Sequence, residues 1–223
     1  LNGTAAFRSL GMGEGLPSRV ISSIVADNHG DIWIGTWAGK VVKYSLQQNQ
    51  IVSVPALNDS VNPYVNCLMV DKKNNLWIGT IEGIVKYEIN SGLVKTIRTI
   101  NGLSDNDVTA FCEDSRGQIW IGTKQKGITL FNGKTYQKLG RESGLKQGNV
   151  TSIAEDNAKQ IWVGTQGGGA FVYKNGKFIG YKMKDGLASN YCMGIEVDRN
   201  DAVWVSHRSG LSEKRSNSAR FQH

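Results

Sequence analysis

Histidine, cysteine and proline are all scarce in this chain of 223 residues, with three of each, and each shortage excludes something. His29, His207 and His223 are too widely separated to give a metal-ligand spacing. No Gly-x-Ser-x-Gly elbow is present, and Gly167-Gly168-Gly169 is not followed by the Lys-Ser/Thr of a phosphate-binding loop. The carboxylates Glu82, Asp105 and Asp107 are not paired by any spacing in the sequence. No catalytic residue, metal or cofactor is therefore assigned. Cys67, Cys112 and Cys192 are odd in number and fall four, two and six residues before the next repeated Asp, so they read as buried free thiols rather than a disulfide framework. Apolar runs of membrane-spanning length are missing too, as is a signal peptide. A chain beginning at Leu1 rather than Met is expected to have been trimmed, so the missing leader carries no weight for compartment.

Acidic residues are outnumbered by basic ones, giving a formal charge of +7 and a pI near 9.3. The lysines are scattered, with Lys72-Lys73 and Lys124-Gln125-Lys126 the densest spots. No basic run interleaved with aromatics appears, so a nucleic-acid partner is not expected, and the charge reads as a solubility field.

What the chain has is a repeat. Asp, then Trp six residues later, then a small apolar residue and Gly-Thr, recurs as Asp27…Trp33-Ile-Gly-Thr36, Asp71…Trp77, Asp114…Trp120 and Asp156…Trp162. A worn copy, Asp198…Trp204-Val-Ser206-His207, closes the series. The Trp residues step by 44, 43, 42 and 42, a period that marks a repeat architecture. Within the third copy four strands are expected: Val108–Glu113, Gln118–Gly122, Gly127–Phe131 and Thr135–Leu139, called a to d. The turns between them carry their own signals: Asp114 with Gly117 between a and b, and Asn132-Gly133 between c and d. Abundant glycine, 27 residues against the three prolines, fits many tight turns.

The expected fold is all-β: a propeller of four-stranded antiparallel blades, about five in this chain, as one whole or partial domain over 1–223. The repeats run approximately over 16–57, 58–101, 102–143, 144–185 and 186–223, with 1–15 an outer strand of a preceding or closing blade. The repeated Asp should cap its turn, the Trp should fill the gap between blades, and the following Gly should let the backbone pass close to the Trp ring. Phe7–Leu10 resembles a fourth strand lacking its own blade. Gly210–Lys214 supplies a strand c in the fifth copy, and Ala219–His223 is a candidate strand d. Either Phe7–Leu10 clasps the last blade and Ala219–His223 frays, or the array is an open arc whose exposed faces favour homo-oligomers.

In such a meander the a–b and c–d turns share one rim, and the b–c and d–a loops share the other. The first rim keeps its Asp in every copy, whereas the second varies, which marks it as the binding face. Its candidate ligand residues are Arg19, Trp37, Tyr64, Glu82, Lys124, Gln166, Asn190, Tyr191, His207 and Arg208. Exposed aromatics beside planar amides and guanidinium groups suit sugar rings, which offer an apolar face and hydroxyl edges.

The phrases Gly144-Leu145-x-x-x-x-Val150-Thr-x-Ile153-x-Glu-Asp156 and Ile-Trp-Ile-Gly-Thr-x-x-Gly resemble the two-component regulator propeller repeat. The second copy lacks Gly-Leu and the fifth loses Gly-Thr. The resemblance implies an extracytoplasmic, periplasmic sensor domain of a hybrid two-component protein, recognising an oligosaccharide and coupled to a membrane only through parent segments outside this chain. It also implies an array larger than five blades. The alternatives are a propeller enzyme similar to the streptogramin B lyases, which needs a His/Glu cluster on one rim, and a protein–protein scaffold.

Overall fold

The computed structural model describes residues 7–58, 60, 61 and 64–223. Its strands form five sheets, one per repeat. The first holds β1 (Ile21–Ala26), β2 (Ile32–Thr36), β3 (Val41–Ser45) and β4 (Gln50–Ser53). The second holds β5 (Val65–Val70), β6 (Asn75–Thr80), β7 (Gly83–Glu88) and β8 (Val94–Ile97), and the third β9 (Val108–Glu113), β10 (Ile119–Thr123), β11 (Ile128–Phe131) and β12 (Tyr136–Leu139). The fourth holds β13 (Val150–Glu155), β14 (Ile161–Thr165), β15 (Gly169–Lys174) and β16 (Lys177–Tyr181), and the fifth β17 (Gly194–Val197), β18 (Val203–His207) and β19 (Gly210–Lys214). Every pairing is antiparallel between consecutive strands, so each sheet is the expected blade. The innermost strands pack in series, β1 on β5, β5 on β9, β9 on β13 and β13 on β17.

The repeated Asp does two things at once. Oδ1 of Asp114 accepts the backbone N–H of Arg116 at 2.9 Å and of Gln118 at 2.8 Å, which closes the a–b turn. Its Oδ2 accepts the indole N–H of Trp120 at 3.0 Å. The same indole bond recurs on Asp27, Asp71, Asp156 and Asp198 at 2.8 to 2.9 Å. Turn and ring are thereby locked together, and the ring is laid into the seam with the next blade. Trp33 meets Tyr87 at 5.7 Å between centroids, Trp77 meets Phe131 at 6.0 Å, and Trp120 meets Tyr173 at 5.2 Å, all spacings typical of favourable aromatic pairs.

The glycine after Trp has a different purpose from the one expected. A Cβ on Gly35 would lie 2.6 Å from Val65, and one on Gly122 would lie 2.5 Å from Val150. The socket therefore receives the first apolar residue of the next blade's inner strand and does not make room for the Trp ring. Side chains one and two positions further along that inner strand then sew the seam. Thr109 donates to the Val150 carbonyl at 2.7 Å, and Ser152 Oγ bonds both the N–H and the carbonyl of Ile195.

The two ends differ. Phe7–Leu10 forms no strand and Phe7 is fully exposed, while Arg8 donates to the Asn49 side chain at 2.9 Å; residues 1–6 of the expected outer strand lie outside the described residues. The tail takes the fourth-strand place, one of the two expectations for Ala219–His223. Glu213 bridges Gln222, and the buried Phe221 packs 6.0 Å from Trp162 and 5.4 Å from Tyr181. Phe221 thus occupies in the fifth blade the place Phe178 holds in the fourth: the backbone at Phe178 lies against Gly144, and the backbone at Phe221 against Gly186. At the other end Ile24 on β1 is 66% exposed, whereas Ile153 and Ile195, its equivalents, are 8% and 2% exposed.

Because Asp114 satisfies three donors that no other group reaches, Asp114→Ala is expected to lower the unfolding free energy by about 3 kcal/mol. Urea denaturation followed by Trp fluorescence measures this, and a loss under about 1 kcal/mol would show the carboxylate to be dispensable.

Candidate functional site

The rim of b–c turns and d–a loops is built by backbone bonds that leave side chains free. Residues following Thr are tied to the residue before the inner strand: Trp37 N–H to the Val20 carbonyl at 3.2 Å, Lys124 to Asp107 at 2.9 Å, and Gln166 to Asn149 at 2.9 Å. The d–a loops turn through short 3-10 segments, Met12–Glu14, Thr99–Asn101, Arg141–Ser143 and Met183–Asp185. Each ends at a glycine with positive φ, between 94° and 118°, a conformation side chains resist. Between the fourth and fifth blades the two loop sets join: Asn190 accepts the N–H of Gly167 at 3.1 Å and of Gly169 at 2.9 Å, and Cys192 donates to Thr165 at 3.0 Å.

An inner cleft of about 400 Å³ opens at this junction, lined by Thr151, Gln166, Tyr191, Cys192, Met193 and Arg208 among others. Tyr191 and Met193 are more than half exposed there. Gln166 is held in place: its Oε1 accepts Asn149 Nδ2 at 2.6 Å and its carbonyl accepts Gln147 Nε2 at 3.2 Å. The Arg208 guanidinium has no acidic partner among the described residues. The Thr151 hydroxyl is shielded yet has no hydrogen-bond partner. Its equivalents Asn66 and Thr109 both donate to the next blade's carbonyl, at 2.9 and 2.7 Å. Ser22, the equivalent in the first copy, is likewise shielded and without a partner.

The structure brings three of the ten candidate residues, Gln166, Tyr191 and Arg208, into one cleft. Asn190 lies beside it, with its side-chain oxygen accepting the Met183 N–H at 3.0 Å. His207 lies beneath, buried in the Thr position of the repeat. Its Nδ1 is 3.1 Å from the Tyr191 carbonyl and its Nε2 3.0 Å from Ser212 Oγ, so both ring nitrogens are engaged. Trp37 and Tyr64 are exposed on the same rim at the seam of blades one and two, and Arg19 is exposed on the approach to β1. Glu82 is 3.7 Å from Arg98, and Lys124 is 3.3 Å from Asp107, both at the surface. Among the described residues no group of three metal-ligating side chains exists. Thr151 and Met193 were missed in the sequence, although their shared position, five before each Asp, was open to comparison.

The cysteines are free thiols. Burial raises the Cys112 thiol to about 12 and the Cys192 thiol to about 11, and pushes Cys67 higher still.

The chain matches the family described as two component regulator propeller over residues 15–38, 59–82, 102–125 and 144–167. Each match runs from a d–a loop through strands a and b to the b–c tip. No curated protein sequence matches. Among solved structures, the extracellular domain of a proposed hybrid two-component system from B. thetaiotaomicron is similar at 19% identity with a TM-score of 0.81, covering 96% of this chain and 31% of that one. A second such domain from the same organism gives 21% identity and 0.74, covering 89% and 28%. A catalytically inactive virginiamycin B lyase from Staphylococcus aureus, solved with quinupristin, gives 17% and 0.67, covering 89% and 71%. At these identities the likeness concerns the fold, and the chain spans about a third of the two extracellular domains.

The raised thiols set a pH dependence. The unfolded chain ionises its thiols near 9 while the folded chain holds its protons to about 11 or above, so stability present below pH 9 is lost as pH rises through that window. Urea midpoints are expected to be flat from pH 7 to about 8.5 and to fall towards pH 11, less so in Cys112→Ala/Cys192→Ala. A double variant falling as steeply as the parent would assign the loss to other groups.

Proposed function

We propose that this chain, a member of the two-component regulator propeller family, is a non-catalytic ligand-binding module of an extracytoplasmic sensor, and that it takes an oligosaccharide in the cleft between its fourth and fifth blades. The observation that carries this reading is the convergence of an exposed Tyr191 ring, the fixed amide of Gln166 and the unpaired Arg208 around one 400 Å³ space. A sugar ring lays its apolar face on an aromatic and its hydroxyls on amide and guanidinium groups. Loops differing on a fixed scaffold are suited to changing ligands without changing fold. The extracellular placement of the two similar sensor domains supports the compartment, and no helix among the described residues is long and apolar enough to cross a membrane.

One observation favours a second reading. The chain covers 71% of a virginiamycin B lyase with the same fold, and a propeller lyase would use a rim base. The histidine at this rim, His207, is buried with both nitrogens bonded within the blade, which supports the binding module instead.

Calorimetry against a panel of plant and host glycan digests tests the proposal. Binding by at least one oligosaccharide is expected, weakened about tenfold by Tyr191→Ala and by Arg208→Ala with thermal midpoints unchanged. The absence of binding across the panel, or turnover of a streptogramin B by the purified chain, would overturn it.

A further inference from the structure

We propose that the seam between the fourth and fifth blades selects an acidic oligosaccharide, with a second, outer cleft receiving its carboxylate or sulfate groups. This inference rests on the reading above and names the class of ligand. The outer cleft, of about 700 Å³, is lined by Lys146, Gln147, Phe171, Phe178, Lys182 and Lys184 among others. It adjoins the inner cleft across a low wall, where Gln147 Nε2 donates to the Gln166 carbonyl at 3.2 Å and Gly167 lies against the Tyr191 ring. A chain of sugars lying on Tyr191 would cross that wall towards the lysines.

The charge there is unbalanced. Elsewhere on the rim two cations carry partners, Arg98 with Glu82 and Lys124 with Asp107. Across blade four and its seam with the fifth, no ion pair among the described residues engages Lys146, Lys182, Lys184 or Arg208. Asp185, the one carboxylate lining the outer cleft, is turned to the backbone, where it accepts the Lys182 N–H at 3.0 Å. The reversal comes from copy-to-copy divergence. After the Gly-Leu of the third copy stand Ser104-Asp105, and Asp105 accepts the Gln125 N–H at 3.1 Å. After that of the fourth stand Lys146-Gln147, and Lys184 replaces the Ile100 of the earlier loop.

The floor suits a ring as well as a charge. Phe171 and Phe178, both largely buried, line it, and glycines let the backbone pack closely on its walls. A Cβ on Gly180 would come within 2.9 Å of the Phe171 ring, and one on Gly168 within 2.5 Å of Gln147. Unpaired cations around an apolar floor favour an anion attached to a carbon skeleton over a bare inorganic ion. Lys146 lies some forty positions from Lys182 and Lys184 in the chain, so no run of basic residues announces the patch.

The test compares three tetrasaccharides by calorimetry: a galacturonan, a sulfated glycosaminoglycan fragment and a neutral galactan. Either acidic ligand is expected to bind at least about tenfold tighter than the neutral one, with the margin shrinking between about 0.05 and about 0.5 M salt. The arm that binds tighter separates uronate from sulfate. Lys182→Glu/Lys184→Glu should remove the preference and keep the neutral affinity. Lys134→Glu/Lys174→Glu, which makes the same charge change at turns on the opposite rim, should leave the preference in place. Equal binding of neutral and acidic ligands would overturn this inference while sparing the oligosaccharide reading. Loss of the preference in the opposite-rim variant would assign it to net charge and overturn the inference too. No binding by any of the three, together with none across the wider panel, would overturn both.

Discussion

One carboxylate joining a turn to an indole governs this structure. Five aspartates each hold an a–b turn through backbone amides and, with the second oxygen, fix the Trp that fills the seam. A local turn and a long-range contact are thereby set by the same side chain. The Trp cannot rotate out of the seam without surrendering a buried bond, and the turn cannot open without freeing the Trp. Such coupling gives a stack of small sheets, each too small to bury a core alone, a shared and cooperative interior.

Much of the fold was legible because the coupling is local in sequence. The third blade's strands fall within a residue or so of those expected, since β-branched runs and turn residues alternate cleanly around Asp114 and Asn132-Gly133. The partner of Gly122 was not legible, because its socket is filled by Val150 from the following blade. Phe7–Leu10 misled for a related reason. It matches a fourth strand in composition, but among the described residues Phe7–Leu10 pairs with no strand. The tail found an edge on β19 and buried Phe221 there.

The site was half legible. Divergence between copies pointed to the rim where the inner cleft opens, and Gln166, Tyr191 and Arg208 converge there. It did not say which seam would matter, because each tip meets the loop of a different copy and their juxtaposition is a property of the stack. His207 shows the opposite error of emphasis. As the odd residue in the Thr position it drew attention, yet it is spent within the fold on other partners: where Thr165 donates to the Gly169 carbonyl at 2.8 Å, His207 bonds the Tyr191 carbonyl and Ser212 Oγ. The lysine patch was hidden by the spread of charge along the chain.

The glycine socket has a wider consequence. Gly35 accepts Val65 and Gly122 accepts Val150, the same knob in the same hole two units later. A unit duplicated or deleted would meet its new neighbours through parts already matched, so the length of such an array can change without inventing an interface. The clefts behave differently, because each arises where two unlike tips face one another. Inserting one unit leaves the packing as it was and replaces one junction with two, so a gain in length is also a gain in recognition surfaces.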